Sequence, residues 1–138
     1  MVATPERRTR PVRRIAVPPL VLQWLRFAMV VVFVGGGLMK LAGADVMVRL
    51  FADIGVGQWL RYVVGAMELA GGTLLLVPAW SGLAALGLIV MMIGAAMAEL
   101  LIIRRLPIAA AACAVALMVI ALGTFDEAGA PPWRRGRG

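Results

Sequence analysis

Tyr62–Val77 reads YVVGAMELAGGTLLLV. Every residue in it except Glu68 is apolar, small or weakly polar. The chain has only seven acidic residues, and one stands in the middle of this run. A stretch of this character is a candidate membrane crossing, and the acid inside it needs an offset.

Composition supports the membrane reading. The chain has 138 residues, the size of one domain, and 62% of them are hydrophobic. Its mean hydropathy is +0.94. Ordinary soluble domains are about 45–50% apolar, so a soluble fold this small could not hide so much apolar surface.

Three further runs resemble the first. The expected spans are residues 20–41, 59–77, 81–103 and 106–123. Each is close to the ~20 residues needed to cross about 30 Å of hydrocarbon. The expected fold is all-α, a polytopic four-helix membrane bundle over residues 20–123. Residues 1–19 form a basic arm expected to be disordered and cytoplasmic, and residues 124–138 a flexible polar tail. Residues 78–81, PAWS, and 104–107, RRLP, mark short turns. They suggest Ser81 as a helix cap and Pro107 in the first turn of the last helix. Spans joined so briefly are expected to be antiparallel neighbours.

The longer link, residues 42–58, is AGADVMVRLFADIGVGQ. Val46, Met47, Leu50, Phe51 and Ile54 share one helical face there, with Asp45 placed to cap it. The segment is too short to span, so it is expected to lie in the membrane interface. Trp24, Trp59 and Trp80 fall near expected span ends, where aromatic belts form. Trp133 in the tail has no such explanation.

The net charge of +7 lies largely at the ends. Arg7, Arg8, Arg10, Arg13 and Arg14 precede the first run, and Arg134, Arg135 and Arg137 follow the last. Basic flanks of this kind set topology and meet anionic lipid, so nucleic acid is not an expected partner. The bias places both termini in the cytoplasm, against the weight of Arg104 and Arg105. The bilayer is the first expected partner.

Histidine is absent and Cys113 is the only cysteine. The chain alone therefore cannot build a His-ligated haem, a His-based zinc site, a Ser-His-Asp triad or an intrachain disulfide. No metal site and no catalytic residue is expected. Cys113, in AAAACAVAL, is expected to pack as a small hydrophobe.

The buried charges are the candidate site. Glu68 stands about 14 Å from the start of its span at 1.5 Å per residue. An acid at that depth costs roughly 2.5–3.5 kcal/mol unless it is offset. Arg26, in the first span, is the expected partner, with an axial gap under about 10 Å by the same rise. Glu99, Lys40 and Arg61, with Arg104 and Arg105, form an expected outer layer. Two readings stand. Arg26, Tyr62, Lys40 and Arg61 can donate to the head group of a lipid-soluble ligand such as a quinone, with Glu68 as a proton relay. Alternatively, Arg26 and Glu68 are glue that fixes helix register. Small residues at Gly35–Gly37, Gly65, Gly71 and Gly72 predict close helix packing, as does the spacing Ala66–Ala70 and Gly94–Ala98.

In order and spacing these residues resemble the DoxX family of small four-helix membrane proteins. The resemblance rests on Arg26, Lys40 in GGGLMK, the link LFADIGVGQWL, and GAMELAGGTLLLVPAWSGLAAL. In the last, Glu68, Gly71 and Gly72 match the family's E-x-x-G-G. A short GLP in the family's link is here Ile54-Gly55-Val56-Gly57. The resemblance implies a multi-pass protein of the bacterial inner membrane, serving as membrane anchor and quinone-facing subunit of an oxidoreductase complex. It implies a quinone as ligand and a redox-bearing partner subunit or further copies of the chain as partners. With no redox centre of its own, the chain would need that partner for any electron transfer. The alternatives are a small carrier or lipid-handling protein and a structural scaffold bundle.

Overall fold

The computed structural model describes residues 17–128, with side chains to residue 125. The basic arm before residue 17, Trp133 and the arginines of the tail lie outside the described residues. The described chain is all helical. Helix α1 is Pro19–Ala42, α2 Asp45–Ile54, α3 Gln58–Leu74, α4 Pro78–Ala98 and α5 Ile108–Ala128. A π-helical segment, Glu99–Ile103, continues α4.

The helix ends follow local chemistry. Pro19 opens α1, where a missing N–H costs nothing. Gly43 closes it at φ 75°, a left-handed conformation suited to a residue without Cβ. The N–H groups of Gly43 and Ala44 then bond the Lys40 and Met39 carbonyls at 3.3 and 3.0 Å. Two expected caps are not formed. Asp45 is the first helical residue of α2, and no side chain caps that helix. Helix α4 starts at Pro78, three residues before the expected span, so Ser81 falls inside the helix and is fully buried. Pro78 supplies the reason, since its fixed φ suits the first helical turn. Helix α5 runs past Gly123 to Ala128, five residues beyond its expected end.

Among the described residues, three helices are long and apolar enough to cross a membrane: Pro19–Ala42, Pro78–Ile103 and Ile108–Phe125. The expected second span is shorter than the sequence suggested. Helix α3 has 17 residues, about 25 Å at 1.5 Å per residue, because the chain turns at Leu75 and Leu76 instead of continuing to Val77.

Packing follows sequence order. Helix α1 packs most extensively on α3, and α4 on α5. Lighter contacts of α1 with α5 and of α3 with α4 close the ring. Helix α2 rests on α3 and on the π segment, with Phe51 buried. The core gathers Leu22, Phe33, Leu75, Leu88, Leu117 and Ile120. Large apolar residues outside it are widely exposed, Val90 at 69% and Ile108 at 72% among them. Such a surface is expected where hydrocarbon is the solvent.

The α1–α3 crossing depends on small residues. A Cβ on Gly37 would lie 2.7 Å from the Gly65 carbonyl oxygen, and one on Gly72 would lie 3.0 Å from Phe33 Cβ. Here the backbones touch. Gly35 and Gly94 meet nothing within 4 Å, and Ala66 and Ala70 are exposed. The two small-residue spacings of the sequence therefore do not build the internal seam.

Candidate functional site

The glycine crossing lets two charges meet. Lys40 stands in the last turn of α1 and Glu68 in the middle of α3. Lys40 Nζ donates to Glu68 Oε2 at 2.7 Å, and both side chains are almost wholly enclosed. The carboxylate rests on bare helix backbone, since a Cβ on Gly36 would lie 3.3 Å from Glu68 Oε2 and 3.7 Å from Lys40 Nζ. Gly65 does the same for the lysine stem, with a built Cβ 3.0 Å from Lys40 Cβ. The glycines make room for an ion pair pressed between helices.

Arg61, one turn into α3, is 4% exposed. Its Nη1 donates to the Lys40 carbonyl and its Nε to Gln58 Oε1 at 2.9 Å. Its guanidinium lies 4.3 Å from the centre of the Tyr62 ring. The cation thus occupies the negative end of the α1 dipole and satisfies a carbonyl there. Gln58 continues the chain of bonds, donating Nε2 to the Val48 carbonyl of α2 at 3.0 Å. Lys40, Glu68, Arg61 and Tyr62 are therefore brought together, and α2 is tied to them.

Arg26 is not part of that cluster. Gly37 opposite Gly65 and Phe33 opposite Gly72 fix the register of the antiparallel pair. Glu68 then faces Gly36, ten residues after Arg26, an axial offset of about 15 Å. The expected Arg26–Glu68 pair is not formed; Glu68 pairs with Lys40. Depths counted from span ends place Arg26 and Glu68 at similar levels only if those ends are level, whereas α3 stops short of α1. Glu99 pairs with Arg105 at 2.8 Å, one of the four bases expected at its level, and the Arg105 N–H bonds its carbonyl. The π segment and Arg104 at φ 57° turn the chain back so that residues 99 and 105 meet.

Arg26 belongs to a second polar group at the other end of the bundle. Its Nη2 donates to Thr124 Oγ1 at 2.6 Å, and Thr124 Oγ1 lies 3.3 Å from Ser81 Oγ and bonds the Ile120 carbonyl at 2.8 Å. Helices α1, α4 and α5 are joined there. Beside it is a cavity of about 360 Å³, walled by Gln23, Arg26, Phe27, Leu75, Leu76 and Pro78 among others. Thr124 and Ser81 were missed as site residues. Hydroxyls within apolar runs were the available signal, but one looked like a cap and the other like the start of the tail.

Among the described residues, no group of three His, Cys, Asp or Glu side chains is placed to hold a metal ion. Membrane-length apolar helices packed in a ring, with charges enclosed between them, define a small helical membrane protein of the multi-pass class. Residues 24–124 match the sequence model of the DoxX-like family, and the chain belongs to that family. No curated protein and no solved structure matches it.

Proposed function

We propose that the protein is the membrane-anchor and quinone-facing subunit of an oxidoreductase complex in a bacterial inner membrane. In this reading α3 also crosses the membrane, as the second of four spans, α2 lies in the interface, and both termini are cytoplasmic. Pairing with Lys40 offsets the cost of placing Glu68 in hydrocarbon.

One observation carries the ligand part of the proposal: Arg26 lines the cavity of about 360 Å³ at the start of α1. Ligand pockets are typically about 300–1,000 Å³, mostly apolar, with a few placed polar groups. Phe27, Leu75 and Leu76 supply apolar walls, and Gln23 and Arg26 supply N–H donors suited to a ring carbonyl. Arginine stays protonated, so Arg26 would hold and polarise the head group without supplying its proton. Electrons would come from a redox-bearing partner. Glu68, about 15 Å away along the helix axis and engaged by Lys40, is assigned to holding the bundle together rather than to a relay.

The test is quinone binding by the purified protein in lipid nanodiscs, followed by Arg26→Gln. Saturable binding that weakens in the variant supports the proposal. Absence of binding, or equal binding by both forms, would remove it in favour of the carrier or scaffold readings.

A further inference from the structure

The seam between α3 and α4 holds a second cavity, an apolar groove of about 280 Å³. Its floor is the contact of Gly71 with Leu88, where a Cβ on the glycine would lie 2.8 Å from Leu88 Cδ2. Met67 and Met91 belong to its lining, and Gly87 leaves it open, since a Cβ there would meet nothing within 4 Å. The lining of the groove is almost purely apolar, so it suits a flexible hydrocarbon chain.

The groove shares a turn with the Arg26 cavity. Leu74 lines the groove, and the next two residues, Leu75 and Leu76, line the cavity. On the other side of the turn, Pro78 lines the cavity and Trp80 the groove. We infer that the groove holds the hydrocarbon tail of the same ligand whose head group occupies the Arg26 cavity, the tail passing over the α3–α4 turn. This rests on the head-group reading above. In a bilayer a chain gains little by leaving lipid for an apolar groove, because lipid is equally apolar. What selects this chain over bulk acyl chains is tethering: a bound head group raises the local concentration of its own tail.

The probe is a benzoquinone bearing one decyl chain with a terminal diazirine, photolysed with the protein in phosphatidylcholine nanodiscs. A tail-less benzoquinone serves as competitor. Labelling is expected at Met67 and Met91, and the competitor should suppress it. Gly87→Leu adds a side chain at the groove lining, its Cβ in open space, and replaces glycine by a better helix former. It should cut groove labelling by about tenfold or more, set against a tethering gain on the order of 10²–10⁴, while tail-less benzoquinone still binds. Competable labelling elsewhere, on the lipid-facing side of α5 for example, overturns the tail site and leaves the head site standing. Groove labelling that the competitor does not touch identifies an ordinary lipid chain as the occupant and also overturns the inference. Absence of labelling at any residue of the protein refutes both sites.

Discussion

Glu68 meets Lys40 at 2.7 Å across the α1–α3 crossing, with its carboxylate against the bare backbone of Gly36. Each charge is the other's main relief from burial. Removing one partner of a buried pair is far more costly than replacing both by apolar groups, because the survivor keeps its charge without compensation. Glu68→Ala should therefore destabilise the bundle by about 3 kcal/mol or more. The double change Lys40→Met with Glu68→Leu should recover most of that loss. Denaturant unfolding in mixed micelles measures both. A single variant as stable as the parent would show the pair to be dispensable.

The fold was largely legible in the sequence, and the pairing of charges was not. Apolar runs and Pro or Gly breaks located helices α1, α3, α4 and α5, because those signals depend on the nearest turn of chain. Phe51 and its neighbours likewise showed the short α2 helix. The Lys40–Glu68 partnership depends on how far α3 slides along α1. That register is set by Gly37 meeting Gly65 and by the early stop of α3 near Leu75. Depths counted from span ends assume equal ends, and so favoured Arg26. Thr124 was invisible as a partner of Arg26 because the two lie 98 residues apart and their contact depends on the closing of the helix ring.

The glycines of the first span are not equivalent. Gly37→Ala should force α1 and α3 apart, since its Cβ would lie 2.7 Å from the Gly65 carbonyl oxygen. Overpacking of this kind typically costs about 1–3 kcal/mol. Gly35→Ala meets open space and should be neutral or stabilising by up to roughly 1 kcal/mol, the helix preference of alanine over glycine. Thermal melts of the two variants in one detergent supply the comparison, and equal melting temperatures would contradict the crossing geometry.

Arg61 acts through planar geometry as well as charge. Its guanidinium bonds the Lys40 carbonyl and Gln58 together and lies over Tyr62. Lysine supplies a point charge and cannot reproduce that fork. Arg61→Lys should lose roughly 1–3 kcal/mol, the cost of leaving buried polar groups unsatisfied. Hydrogen exchange should rise first at the amides of α2, because Gln58 ties Val48 to this cluster. Unchanged α2 protection alongside reduced global stability would separate α2 from the network.

Thr124 distinguishes a positioning role from a purely structural one at the opposite end. Its hydroxyl receives Arg26 Nη2 at 2.6 Å and itself bonds the Ile120 carbonyl. Thr124→Val keeps the shape and removes the acceptor, so Arg26 should lose a restraint without losing its charge. A charge-assisted hydrogen bond contributes about 1.5–3 kcal/mol in stability. If Arg26 holds a quinone head group, Thr124→Val should weaken binding by about tenfold, the factor that corresponds to 1.4 kcal/mol. Thr124→Ser, which retains the hydroxyl, should restore most of the affinity. Titration of nanodisc-embedded protein with a short-chain quinone reads out all three forms. Loss of thermal stability in Thr124→Val with no change in quinone affinity would mean that the contact holds α1 to α5 and has no part in recognition.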